Sequence, residues 1–148
     1  MSRILIFGAT SAIAQEVARS FANDGASFFL VARSVVALAD IAADLTVRGA
    51  ASVTTRVADL SDLDVLADLC DEGCDALGGI DVAIIAHGIL PDQKACEHSV
   101  DATLGALRVN AMSPAALMMR LGEIMVTQGA GSLVVISSVA GDRGRASN

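Results

Sequence analysis

Five short apolar runs recur along this chain: Arg3 to Phe7, Ser27 to Arg33, Ser52 to Val57, Ile80 to Ala86 and Ser132 to Ser137. They are continuous rather than alternating, the pattern of strands covered on both faces. Segments of helical period separate them. Ile13, Val17, Ala18 and Phe21 fall on one face of the first segment, Leu38, Ile41, Ala42 and Leu45 on one face of the second, and Leu63, Leu66, Ala67 and Cys70 on one face of the third. Asn23-Asp24-Gly25, Arg48-Gly49 and Leu77-Gly78-Gly79 supply the stops. Strand and helix in alternation, joined by right-handed crossovers, predict a parallel α/β sheet with helices on both sides. No linker or repeat divides residues 1–148 into more than one domain.

The rhythm changes after the fourth run. Gly88 to Glu97, with Pro91, reads as a loop, and Ser99 to about Gln128 reads as one long helical stretch. Pro114 inside it lacks an N–H and bends the helix or restarts it one turn later. Val139 to Asn148 has two glycines, two arginines and no periodicity, so the chain is expected to stop in a loop that leaves the apolar edge of its last strand unpaired.

Composition narrows the chemistry. At 53% hydrophobic residues the chain has ample material for a core. A net charge of -7, the single lysine Lys94 and scattered arginines offer neither a nucleic-acid groove nor a patch for anionic lipid. A bound anion must be held mostly by backbone. Cys70, Cys74 and Cys96 are odd in number and form no CxxC pair, which points to a reducing compartment and no zinc. Cys70 and Cys74, on one helix, read as small buried hydrophobes. The N-terminal apolar run is too short for a signal peptide, and no run approaches the roughly 20 residues of a membrane span, so the expected location is the cytoplasm. Tyrosine is absent, which removes phenol acid–base chemistry.

The turn after the first run carries the strongest chemical signal. A dinucleotide-binding fold needs a residue without Cβ there, then small residues that let backbone N–H groups and a helix N-terminus approach a pyrophosphate. In Gly8-Ala9-Thr10-Ser11-Ala12-Ile13-Ala14, Gly8 meets the first demand, Ala12 and Ala14 take the other small positions in a G-x-x-x-A-x-A spacing, and Thr10 and Ser11 add hydroxyl donors. The second run ends Val31-Ala32-Arg33-Ser34, with no acid to accept from a ribose 2′-hydroxyl. Arg33 offers a guanidinium to a 2′-phosphate, which favours NADP(H) over NAD(H); otherwise it is a solvated strand-end arginine. Asp59, in Val57-Ala58-Asp59-Leu60, is placed to accept from an adenine amino group or to cap the third helix, a task for which Ser61 is better suited.

Together with Ala86-His87-Gly88, Val109-Asn110-Ala111 and Val135-Ile136-Ser137-Ser138-Val139-Ala140-Gly141, these segments resemble the short-chain dehydrogenase/reductase superfamily, in the right order and over the whole chain. The spacing of the first turn is similar to the family's short form. The resemblance implies a doubly wound Rossmann sheet of strand order 3-2-1-4-5 with the C-terminal strands and helices missing, and hydride transfer between NADP(H) and a small carbonyl or alcohol substrate. It implies cofactor binding by Gly8, Thr10, Ser11, Ala12, Ile13, Ala14, Arg33, Asp59, Leu60, Ala86, His87 and Gly88. The family has N-A-G where this chain has Ala86-His87-Gly88, so His87 either lines the nicotinamide side or is a satisfied structural histidine. His98, near a helix start, reads as a surface residue. Asn110 matches the asparagine that supports a proton-relay water. Ser138, with Ser137 as the alternative, matches the serine that orients the substrate carbonyl and stabilises the developing alkoxide. No metal is implied. The long helix resembles one that forms part of a dimer interface, which implies a homo-oligomer.

The family's YxxxK pair has no counterpart in the ten residues after Ser138. In that pair the lysine lowers the pKa of the phenol and the tyrosine moves the proton. The chain is then expected to be the N-terminal part of a reductase, cut before its catalytic tyrosine and inactive as it stands. The alternative is a non-catalytic dinucleotide-binding or regulatory module complete at 148 residues.

Overall fold

A computed structural model describes residues 1–144. Strands β1 (Arg3–Phe7), β2 (Ser27–Ala32), β3 (Ser52–Val57), β4 (Val82–Ile85) and β5 (Ser132–Val135) form one sheet of order β3-β2-β1-β4-β5. Every pairing is parallel, with Ile4 opposite Phe28 on one side of β1 and Val82 on the other. The helices are α1 (Ala12–Ala22), α2 (Val35–Val47), α3 (Leu66–Leu77), α4 (Gln93–His98), α5 (Val100–Leu107) and α6 (Ser113–Gln128). The chain winds outward from β1 to β3, then returns past β1 to β4 and β5. That reversal opens a crevice beyond the C-terminal ends of β1 and β4.

Successive side chains of a strand point to opposite faces, and here each face has its own core. Ile4, Ile6, Phe28, Leu30 and Ile84 pack under α1 and α2, while Leu5, Phe7, Phe29, Val31, Ala83 and Ile85 pack under α3 and α6. With both faces covered, β1, β2 and β4 have few places for a polar residue. Each fully buried Leu, Ile or Phe contributes about 1.5–3 kcal/mol relative to exposure. The edge strands do not follow the two-sided expectation. Most of β3 is exposed, and Leu133, Val134 and Val135 of β5 are 36%, 41% and 39% exposed, each strand lying at an edge of the sheet with a neighbour on one side only.

Several local expectations shift. In α1 the inner stripe is Ala14, Ala18 and Ala22, with Val17 and Phe21 at its flank, and Ile13 is 55% exposed. The helix starts so close to the sheet that only methyl side chains fit between the two. In α3 the buried residues are Leu66, Leu69, Cys70 and Gly73, while Ala67 is exposed. Gly73 lies against the sheet: a Cβ there would lie 2.9 Å from Leu5 Cδ1, which would have to shift. The cap before α3 is Asp62, not Ser61: its carboxylate accepts from the Asp64 N–H at the short 3-10 turn Leu63–Val65.

Gly88 to Glu97 is not all loop. Asp92 accepts from the N–H groups of Lys94 and Ala95 and starts α4 within it. The long helical stretch starts as expected, with Ser99 as its N-cap, and runs to Gln128, interrupted by a π segment, Arg108–Met112. Pro114 has no N–H for the Asn110 carbonyl, and the Ser113 N–H reaches back five residues to the Arg108 carbonyl.

At the far end of the sheet Gln128 acts as a strand neighbour for the fully buried Ile80. Its Oε1 accepts from the Ile80 N–H at 2.9 Å, and its Nε2 donates to the carbonyls of Ile80 at 2.9 Å and Ala130 at 3.0 Å. Gln128→Ala leaves those groups unpaired and is expected to cost about 1–3 kcal/mol, read from the urea midpoint at unchanged slope.

Candidate functional site

Beyond the C-terminal ends of β1 to β4 lies a cavity of about 510 Å³. Its wall is assembled strand by strand. Gly8, Thr10 and Ser11 follow β1, Ala32 and Arg33 come from the end of β2, Ala58 to Ser61 follow β3, and Ala86 to Ile89 follow β4; Val109 of the π segment joins them. The structure thus gathers Gly8, Thr10, Ser11, Arg33, Asp59, Leu60, Ala86, His87 and Gly88 around one space. Ala12, Ile13 and Ala14 form the first turn of α1 and are not part of the wall. Among the wall residues, Ala32, Ala58, Ser61, Ile89 and Val109 were not anticipated as cofactor contacts, since nothing in their types distinguishes them from loop and core residues.

Glycine at position 8 is required twice. Its φ of +82° is left-handed, and a Cβ would lie 2.6 Å from the His87 backbone nitrogen and 2.8 Å from His87 Cα. The N–H groups of Gly8 and Ala9 donate to the Val31 carbonyl at 2.9 and 3.0 Å, which ties the turn to β2. Ser11 then takes extended backbone angles and caps α1, its hydroxyl accepting from the Ala14 N–H at 3.5 Å. That bond is long, and the first-turn N–H groups of a helix have no intrahelical acceptor, so this end of α1 suits an anion. Gly8→Ala is expected to lower stability by about 2–4 kcal/mol, because backbone cannot move aside as a flexible side chain can; a thermal melt reads it.

Asp59 accepts from the Ser61 N–H at 2.9 Å. The Ser61 N–H and hydroxyl hold its carboxyl below the usual range, with the Arg33 guanidinium adding to the effect. It is therefore an ionised acceptor at the cavity edge and not a helix cap. Arg33 is exposed and, among the described residues, enters no ion pair.

The remaining candidates separate. Asn110 stands beside Val109, and its side chain spans both polar backbone groups of one residue: Oδ1 accepts from the Ile89 N–H and Nδ2 donates to the Ile89 carbonyl, each at 2.8 Å. Ser138, exposed, caps the 3-10 turn Val139–Gly141 by accepting from the Ala140 N–H at 3.2 Å, and neither it nor Ser137 is in the cavity wall. His98 is exposed on α4. His87 is half-buried, with Nε2 2.9 Å from the hydroxyl of the fully buried Ser113. Desolvation lowers its pKa below 6.5. A histidine depressed in the folded state contributes stability that is present above pH 6.5 and is lost as pH falls below it, because the unfolded chain then binds more protons. Melting temperature is expected to drop over that interval in the wild type and to drop less in His87→Gln.

A parallel sheet of this order, with a glycine turn and a cavity at the winding reversal, is the architecture of a Rossmann domain. The profile of the short chain dehydrogenase family matches residues 2–148, and the chain belongs to that family, whose members are NAD(P)-binding oxidoreductases. An uncharacterized oxidoreductase of Mycobacterium tuberculosis is 39% identical over 145 residues, which are 98% of this chain and 58% of that protein. The crystal structure of a short-chain type dehydrogenase/reductase from Mycobacterium marinum superposes with a TM-score of 0.88 at 25% identity, covering 98% of this chain and 59% of the other. Levodione reductase superposes with a TM-score of 0.89 at 27% identity, covering 97% and 57%. The chain therefore spans little more than half the length of these relatives. Among the described residues no helix is long and apolar enough to cross a membrane.

Proposed function

We propose that the whole protein is an NADP(H)-dependent oxidoreductase acting on a small carbonyl or alcohol substrate in the cytoplasm, and that these 148 residues supply its cofactor-binding part. The observation that carries this reading is the cavity wall itself: Gly8 admits close backbone approach, and Arg33 stands on the wall where an NAD-preferring site needs an acid. Bound nicotinamide would supply the hydride donor or acceptor. The N–H groups of Ala12 and Ile13 and the hydroxyls of Thr10 and Ser11 are the groups to hold a diphosphate, Arg33 a 2′-phosphate, and Asp59 an adenine amino group, with Leu60 beside it. Ala86, His87 and Gly88 form the wall toward β4.

For the transfer itself, Ser138 has a hydroxyl proton to give to a substrate oxygen while its lone pair caps the following turn. The Asn110 side chain is occupied by Ile89, but Pro114 leaves its carbonyl without that helical donor, a place for a relay water. No tyrosine is present to act as the acid, so we expect no turnover from the chain as it stands. We also propose a homo-oligomer, in which a second copy covers Val100, Leu104 and Leu107, exposed at helical spacing along α5. Sedimentation should show self-association, and a clean monomer counts against it.

NADPH and NADH titrations followed by nicotinamide fluorescence test the cofactor reading. NADPH is expected to bind more tightly. Arg33→Asp is expected to weaken NADPH binding by about 10- to 100-fold, the value of one charge-assisted pair, and to reverse the preference. No NADPH binding at high micromolar concentration, in protein shown to be folded, would sink the proposal.

A further inference from the structure

His87 touches two parts of the cavity wall, the Gly8 turn and the start of α6. Its backbone is the surface against which the Gly8 turn packs, at the 2.6 Å separation a Gly8 Cβ would have from its nitrogen. Its side chain reaches Ser113, the fully buried first residue of α6. The two residues that follow are held by the same helical stretch: Asn110 spans the Ile89 backbone, and its Oδ1 lies 3.3 Å from where a Gly88 Cβ would stand. The position of His87 to Ile89 is thus set by the π segment and the start of α6, and passed on to the glycine turn.

We propose that the His87–Ser113 pair positions the dinucleotide cavity and does so only while the imidazole is neutral, so that acid weakens dinucleotide binding. This rests on the reading of the cavity as an NADP(H) site. His87 Nδ1 is buried and has no hydrogen-bond partner among the described residues. Neutral imidazole leaves one ring nitrogen unpaired in either tautomer, whereas imidazolium would put a positive charge and an N–H without an acceptor in the same place.

Among the described residues no acceptor reaches Nδ1 to offset that charge. Gly8 from the β1 turn, Ser113 and Asn110 from the helical stretch, and Ile136 after β5 are uncharged. The charged groups of the cavity wall, Arg33 and Asp59, belong to the ends of β2 and β3, two and three strands from β4, and Arg108 of the π segment carries the same sign as an imidazolium. Burial accordingly holds the His87 pKa below 6.5. To take a proton His87 must leave its seat, and the wall from His87 to Ile89 moves with it.

The test is the NADPH dissociation constant at about pH 7.5 and about pH 5.5, from nicotinamide fluorescence, for wild type, His87→Gln and Ser113→Ala, with folding checked by circular dichroism. The ratio of the two constants is expected to be at least about threefold larger in wild type than in His87→Gln, which keeps a hydrogen-bonding group near Nε2 but cannot be charged. The 2′-phosphate of NADPH itself titrates near pH 6, but it does so equally in both proteins and cancels. Ser113→Ala should weaken binding at both pH values. Equal ratios in wild type and His87→Gln, or no effect of Ser113→Ala, overturn the proposal. Absence of NADPH binding by folded wild type at about pH 7.5 overturns both it and the cavity reading. The imidazole signals also give a reading in the wild type alone: added NADPH should lower the titration midpoint of His87, and an unmoved His87 refutes the coupling.

Discussion

The contact on which the rest of the site depends is the packing of the Gly8 backbone against the backbone of His87. β1 and β4 are neighbours at the centre of the sheet, and their ladder continues one step past the strands, where the Ala86 N–H donates to the Phe7 carbonyl at 2.8 Å. Just beyond that bond the two chains part, one into α1 on one face and the other toward the helices of the opposite face. A side chain at the parting point would force the strand ends apart, since the atoms it would meet are the backbone of Ala86 and His87. Close approach there also explains the alanine stripe of α1, whose start lies against the sheet as closely as the turn permits.

The opposite wall depends on an irregularity. Pro114 cannot donate to the carbonyl one turn back, and the backbone absorbs the loss as a π segment of five residues. That widened turn presents Val109 to the cavity, Asn110 to the loop after β4, and Ser113 to His87. Asn110 thereby acts as a side-chain strand for Ile89, much as Gln128 does for Ile80 at the other end of the sheet. In both places an amide, which can donate and accept at once, satisfies a backbone that has left its ladder.

How far the residues announce this differs from one element to the next. The central strands were legible because burial on both faces leaves an uninterrupted apolar run, and the helix stops because Gly25, Gly49 and Gly78 take left-handed angles. Gly8, Arg33, Asp59 and His87 could be assigned to one site because each sits at or just after the C-terminal end of its strand, where a parallel sheet collects its loops. Ile13 misled because hydrophobicity marks a helix face only when there is room for large side chains beneath it. α4 was hidden in a loop because a helix of six residues carries too little period to detect. The exposure of β3 and β5 was hidden for a different reason: an apolar run does not state which strand lies at an edge.

The sequence by itself determined the alternation of strand and helix, the two-faced core, and the glycine turn, because these follow from local sterics and from burial patterns that repeat every two or four residues. Tertiary structure alone decided that Asn110 would clamp Ile89, that Ser113 would receive His87, and that Ser138 would stand outside the cavity wall. Those partners are separated by 21 and 26 positions in the first two cases, and hydrogen bonds between such residues depend on where a kinked helix crosses a strand end. No period in the chain encodes that crossing; it follows from the packing of the helices on a sheet already formed.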